Sequence, residues 1–237
     1  MRILVINPNS SKQMTELIKQ QLLKIKHPNT ECVVVRNEDA PEGVESDVDI
    51  ARVVPGVLRW VQQANEEGYD AIIIACFSDP GLAAAREISR CLVLGIEETS
   101  LHIACTLGKK FTVLTPLPQR RLKKEHEVRC LGLAERLASV RALGISVAET
   151  GSAPERTRGR LLEVGRQAVM EDGAEVLILG CAGMVGYADL LEKELGVTVI
   201  DPTSVTFKVA EVMVELGLRH SKGALCRGEE NLSTFFR

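Results

Sequence analysis

The sequence predicts an α/β protein in which parallel sheets are flanked by helices and the whole pattern is laid down twice. Three observations lead there. Short runs of β-branched residues alternate with segments of helical apolar spacing, the alternation restarts in the second half of the chain, and in each half one strand runs into a cysteine: "IIIACFSDPG" (72–81) and "VLILGCAGM" (176–184). Parallel strands need crossover connections, which helices supply, and helices covering both faces make the strands apolar throughout.

Taken in order, "RILVIN" (2–7) and "CVVVRN" (32–37) read as strands, with "QMTELIKQQLLKIK" (13–26) as the helix between them. The segment "GVLRWVQQANEEGYD" (56–70) reads as a second helix closed by Gly68, followed by the strand "AIIIACF" (71–77), the helix "LAAAREISR" (82–90) and the strand "CLVLGIEE" (91–98). The second half begins with the strand "KKFTVLTP" (109–116), the helix "LKKEHEVRCLGLAERLA" (122–138) and the strand "RALGISVAET" (141–150). It continues with the helix "RGRLLEVGRQAVMEDGA" (158–174), the strand "EVLILGC" (175–181), the helix "GYADLLEKEL" (186–195) and the strand "GVTVIDP" (196–202). A strongly apolar helix, "SVTFKVAEVMVELGL" (204–218), and a polar tail (221–237) close the chain.

The halves match as an internal duplication. Gly68, Tyr69, Asp70 and Ala71 precede one thiol-bearing strand; Gly173, Ala174 and Glu175 precede the other; and each cysteine is followed at a similar distance by a strand ending in Glu97 or Asp201. The boundary is expected between Glu98 and Gly108, giving a first lobe of 1–98 with 205–237 that carries Cys76 and a second of 99–204 that carries Cys181. The last helix is placed with the first lobe as a return segment, and the tail is left open between docking there and docking on a neighbour.

Composition excludes several function classes. A chain of 237 residues with 45% hydrophobic content can bury a sizeable core. Its 29 basic and 32 acidic side chains are interspersed, and short clusters such as "RRLKKEH" read as solvated helix faces, so no nucleic-acid partner is expected. No apolar run has membrane-spanning or signal-peptide length, and the expected location is the cytoplasm. Seven cysteines at irregular spacings are not a disulfide framework, and four scattered histidines offer no metal-ligand cluster. "GCAGMVG" is not a dinucleotide fingerprint, and no GxxxxGK[ST] occurs.

A cysteine on an apolar strand is ordinarily a small core residue. Cys32, Cys91 and Cys105 fit that description, and Cys130 and Cys226 carry no signal. Cys76 and Cys181 differ because they stand at equivalent strand ends, where ligands bind in open α/β sheets. Asp79 reads as the N-cap of the helix after Cys76 with Pro80 at its first position, a setting expected to lower the thiol pKa. If the halves face each other, two thiols enter one cleft from opposite sides. Stereoinversion at carbon needs that arrangement: one group removes a proton from one face and the other delivers a proton to the opposite face. The enolate between the two steps needs fixed donors. "INPNSS" (6–11) and "VLTPLP" (113–118) end the corresponding first strands with Asn9, Ser10 and Thr115; Asn9, Ser10 and Ser11 read equally as helix caps, but their placement at the sheet edge of the thiols favours a ligand role.

In combination, "INPNSS", "ACFSDPGL", "VLGIEE", "FTVLT", "LGCAGM" and "VIDP", in this order over most of the chain, resemble the hydantoin racemases of the aspartate/glutamate racemase superfamily. The resemblance implies two Rossmann-like lobes related by a pseudo-twofold axis with the active site in the cleft between them. It implies Cys76 and Cys181 as paired acid/base residues, without cofactor or metal. Asn9, Ser10, Phe77, Ser78, Asp79, Thr115, Ala182 and Gly183 would surround a small-molecule substrate with a hydantoin-type ring, in a homo-oligomer. Pro116 departs from the second threonine that often follows in such proteins, removing a hydroxyl and a backbone donor. The acidic loop 37–49, with Glu42, Glu45, Asp47 and Asp49, is expected over the ring substituent and keeps allantoin beside other 5-substituted hydantoins. A free amino acid of the aspartate or glutamate kind fits less well, because Phe77 and the Ala182–Gly183 pair stand where those racemases carry polar segments. A ligand-binding protein with inert cysteines is the reading from outside enzymology.

Overall fold

The computed structural model describes residues 1–221, so Cys226 and the tail whose docking the sequence left open lie outside the described residues. Two four-stranded sheets, each wholly parallel, repeat one strand order: β2-β1-β3-β4 and β6-β5-β7-β8. In the first half β1 (Arg2–Asn7), α1 (Lys12–Ile25) and β2 (Glu31–Arg36) follow the expected alternation. β3 (Ala71–Ile74), α3 (Leu82–Ile88) and β4 (Leu92–Gly95) do the same.

The strands are buried on both faces, and the alternation of their side chains divides the core. Ile3, Val5 and Ile73 pack toward α1 and the second half, whereas Leu4, Ile6, Ile72 and Ile74 pack outward against Val57 and Val61 of α2 (Asp47–Glu67). That helix starts well before the expected Gly56. Ser46 accepts the Asp49 N–H at 3.1 Å and Asp49 accepts the Ser46 N–H at 3.0 Å, a capping box inside the stretch read as a loop. Pro55 falls within the helix; it is exposed, as is Ala51, whose carbonyl loses its partner to the proline.

Glu97 does not end a strand. Residues Ile96–Leu107 form α4, in the stretch expected to be a boundary between halves. The signal was not local: the Asp79 carboxylate, from the loop after β3, accepts the N–H groups of Glu97 at 3.1 Å and Glu98 at 2.8 Å and caps α4 from outside. Gly95 permits this approach, since a Cβ there would lie 2.2 Å from the Asp79 carboxyl carbon.

In the second half β5 (Phe111–Thr115), a 3-10 turn (Pro118–Arg120) and α5 (Arg121–Cys130) are followed by β6 (Leu137–Ala142). Two expectations fail there. Left-handed Gly132 stops α5 before the predicted end, and the strand predicted over 141–150 lies earlier, because Ser146 and Glu149 form a capping box that starts α6 (Val147–Ser152). α7 (Pro154–Asp172), β7 (Val176–Leu179), α8 (Ala188–Leu195), β8 (Thr198–Ile200) and α9 (Pro202–Glu215) complete the fold.

The halves exchange helices. α4 follows the first sheet but packs on β7 and β8 of the second, burying Leu101 and Ala104 with Val113 and Ile178. α9 follows the second sheet but packs on β3 and β4 of the first through Phe207 and Ala210. Among the described residues no helix is long and apolar enough to cross a membrane.

Candidate active site

Four strand ends meet at one cleft, lined by Asn9 after β1, Ala75 to Ser78 after β3, Thr115 to Leu117 at the end of β5, and Gly180 to Ala182 after β7. Cys76 and Cys181 therefore face the same space from the two halves. The chain turns sharply at each. The Cys76 carbonyl accepts the N–H groups of Ser78 at 2.8 Å and Asp79 at 3.0 Å, and the Cys181 carbonyl accepts that of Met184 at 3.0 Å.

The thiols are supported differently. Cys181 Sγ accepts the Gly183 N–H at 3.4 Å and lies 3.8 Å from the Thr150 hydroxyl. Burial pushes this thiol up, and those two groups oppose the rise. Burial, and then the facing Cys181, push Cys76 up to about 12, against the nearby Lys124. The expectation of a thiol lowered by a helix start is thus overturned for Cys76. α3 begins only at Leu82, with left-handed Gly81 as its N-cap, and Asp79 is turned away at φ 40° to cap α4.

Not every sequence-picked residue reaches the cleft. Asn9, Phe77, Ser78, Thr115 and Ala182 line it. The Asn9 amide is oriented by its own oxygen, which accepts from Asn7 Nδ2 at 2.8 Å and the Ser11 N–H at 2.9 Å, so Nδ2 points at the weak acceptor Met14 Sδ, 3.3 Å away. Ser10 lies on a separate shallow groove, with its N–H on the Pro41 carbonyl at 3.1 Å. Asp79 stands behind the cleft as a cap, and Gly183 supports Cys181 from behind; a Cβ there would meet Thr150 Oγ1 at 2.1 Å.

Sequence reasoning missed the cations. Arg120, Lys124 and Val128 lie at four-residue spacing on the buried side of the 3-10 turn and α5, in the cluster read as a solvated face. Arg120 reaches Ser78 Oγ at 3.2 Å and Asp47 at 3.3 Å. Lys124 donates to the Phe77 carbonyl and pairs with Glu97 at 2.8 Å and Glu127 at 2.7 Å. The alternation of Arg120 and Lys124 with Val128 was the available signal. The acidic loop also differs from expectation: Val44 lines the cleft, whereas Glu45 accepts the Val147 N–H at 2.7 Å, Asp47 pairs with Lys123 and Arg120, and Asp49 caps α2. Glu42 lies on the shallow groove with Ser10.

Residues 3–210 match the family model described as Asp/Glu/Hydantoin racemase. The chain belongs to this family. It is 40% identical to the hydantoin racemase of Pseudomonas sp. (strain NS671) over 222 residues, covering 94% of this chain and 89% of that protein. The allantoin racemase from Klebsiella pneumoniae superimposes with a TM-score of 0.88 at 36% identity, covering 94% of this chain and 91% of that one. The allantoin racemase from Pseudomonas fluorescens gives 0.91 at 32% identity, covering 97% and 98%. The protein is thus an isomerase of the racemase type, and the non-catalytic reading is set aside. The doubled parallel α/β architecture expected from the sequence is the fold of these relatives.

Proposed function

We propose that the protein racemises 5-monosubstituted hydantoins by proton transfer at C5 between Cys76 and Cys181. One observation carries the reading: two thiols on equivalent strand ends of the two halves line a single cleft. A thiolate on one side takes the C5 proton, the electron pair of the broken C–H bond passes into the ring carbonyl as an enolate, and the opposite thiol gives its proton to the other face. For the other enantiomer the roles reverse. A thiol raised by burial is ionised rarely but is strongly basic when it is. Both the sharing of roles and the proton balance are complete without a further reactant.

The enolate oxygen needs donors already in place. Asn9 Nδ2, held toward the cleft on a thioether it can readily exchange for a carbonyl, suits that role, and the Thr115 and Ser78 hydroxyls lie on the same walls. The substituent at C5 would lie against Met14, Val44, Pro116, Leu117 and Val147, an apolar surface. With the acidic side chains of the 37–49 loop engaged elsewhere, aliphatic and aromatic substituents are favoured over a ureido group. Allantoin is the second reading, favoured by Arg120, whose guanidinium borders the cleft and could meet a ureido carbonyl.

The test follows circular dichroism decay of enantiopure 5-benzylhydantoin, 5-isobutylhydantoin and allantoin in D₂O, with deuterium entry at the stereocentre, for wild type, Cys76→Ser and Cys181→Ser. The expected result is decay with solvent deuterium incorporation in wild type, fastest for an apolar substituent, and loss of inversion in both variants. Full inversion by either variant would overturn the two-thiol mechanism, and fastest decay of allantoin would exchange the two substrate readings.

A further inference from the structure

Lys124 stands out among the buried groups because it reaches the loop of the first thiol from the other half of the chain. It belongs to α5, after β5, yet its side chain is 2% exposed and its ammonium donates to the carbonyl of Phe77, the residue bonded to Cys76. It also reaches Ser78 Oγ at 3.3 Å, lies 5.2 Å from the Phe77 ring centroid, and borders the cleft. Burying an ammonium is costly unless opposite charge and acceptors surround it.

Two observations separate Lys124 from half of an ordinary structural ion pair. The first is Glu97, whose Oε1 is buried and has no hydrogen-bond partner. A carboxyl that keeps its proton is the form expected where three carboxyls, those of Glu97, Glu127 and Asp79, surround one ammonium, and burial pushes Glu97 up to about 8. The ammonium therefore sits between the carboxyls of Glu97 at 2.8 Å and Glu127 at 2.7 Å on one side and the loop of Cys76 on the other. The second is the inequality of the thiols. Cys181 has the Gly183 N–H directed at its sulfur and the Thr150 oxygen 3.8 Å away, whereas among the described residues no hydrogen-bond donor reaches the sulfur of Cys76.

We propose that Lys124 is the counter-ion of the Cys76 thiolate: a positioning residue, supplied by the second half of the chain, that holds the Phe77–Ser78 turn and makes the ionisation of Cys76, far more than that of Cys181, depend on a buried cation. The inference rests on the reading of Cys76 as an acid/base thiol. The charged and titratable groups facing Cys76 are Asp79 on its own loop, Glu97 on α4, Lys124 and Glu127 on α5, Arg120 on the preceding turn, and Cys181 across the cleft. Of the two cations that touch the loop of Cys76, Lys124 and Arg120, Lys124 is the more deeply buried and the one whose charge favours the Cys76 thiolate.

Turnover alone cannot resolve the two thiols. The equilibrium constant between enantiomers is one, so damage to either thiol lowers kcat/KM equally in both directions. The informative readout is the rate at which each thiol is alkylated by iodoacetamide from neutral to alkaline pH, mapped by mass spectrometry on the peptides containing Cys76 and Cys181. Lys124→Met should slow alkylation of Cys76 by at least about tenfold and move its pH profile upward, while changing Cys181 by less than about twofold. Lys124→Arg should restore most of the Cys76 rate. Unchanged Cys76 reactivity in Lys124→Met, or equal slowing at both thiols, would overturn the proposal.

Glu97→Gln keeps the experiment decisive if Lys124→Met does not fold. It removes a carboxylate that competes for the cation at alkaline pH, so Cys76 should alkylate several-fold faster there, with Cys181 unaffected. No acceleration would count against the counter-ion role. A wild-type protein inactive on every ring substrate would instead sink the racemisation reading, and it would do so independently of the alkylation profiles.

Discussion

At the scale of single residues, glycine placement controls the second thiol. The Thr150 hydroxyl behind Cys181 donates to the Val147 carbonyl at 2.6 Å, and its residue is buried, so it has little room to retreat. A methyl group at position 183 would fall 2.1 Å from Thr150 Oγ1 and 2.9 Å from Met14 Cε. Gly183→Ala should therefore cost about 1–3 kcal/mol by overpacking and reduce racemisation at least about tenfold by displacing the N–H on the Cys181 sulfur. Gly159→Ala is the control: it lies inside α7 with nothing within 4 Å of the added carbon, and should raise stability by roughly 0.5–1 kcal/mol. Thermal midpoints and circular dichroism decay measure both; equal behaviour of the two variants would contradict the argument. Cys76 and Cys181 were readable from sequence because a thiol at a duplicated strand end is a local pattern seen twice. Lys124 was not, because its burial depends, beyond the nearby Glu127, on the carboxyl of Glu97 from α4 and the carbonyl of Phe77 from the loop after β3, neither of which is near it in sequence.

At the scale of elements, the link between the first thiol and α4 runs through Asp79. Its two carboxylate oxygens take one N–H each, so Asp79→Asn keeps one acceptor and turns a donor toward the other N–H. The expected loss is about 1–2 kcal/mol, read as a lower denaturant midpoint. Burial raises Asp79 to about 7 and Glu97 to about 8 in the folded protein. Both carboxyls then hold protons longer in the native state than in the unfolded chain, so their contribution is full below the ordinary carboxylate range and is lost as pH rises through about 7 and about 8. Stability measured from mildly acidic to mildly alkaline pH should fall accordingly, and Glu97→Gln should flatten the decline; an unaltered slope would speak against the raised carboxyl. The strand sequences announced themselves through apolar, β-branched runs, which is why seven of the eight expected strands fall on strands. Elements misplaced in the reading, α2, α4, α6 and β6, are those whose starts depend on a capping box within an acidic stretch, a cap from a remote loop, or a left-handed glycine.

At the scale of the whole molecule, the exchange of α4 and α9 joins the halves through their cores and not only through the cleft. Neither sheet is covered on both faces by its own half. Unfolding should be a single transition. Trp60, the one tryptophan, sits on α2 with its indole N–H on the Arg36 carbonyl at 3.2 Å and reports on the first half, whereas far-ultraviolet circular dichroism reports on all helices. Their denaturant curves should coincide, and a separate fluorescence transition would show that the halves melt independently. The same exchange bears on ancestry. A polypeptide of half this length would carry one bare sheet face and one helix with nothing of its own to cover, and two identical copies would satisfy each other by trading that helix. Such a pair would hold two equivalent thiols in equivalent surroundings. Joining the copies into one gene releases them from identity, so that one sulfur can come to rest beside a lysine while the other keeps a glycine and a threonine, and the two faces of a carbon atom are served by chemistry that has drifted apart.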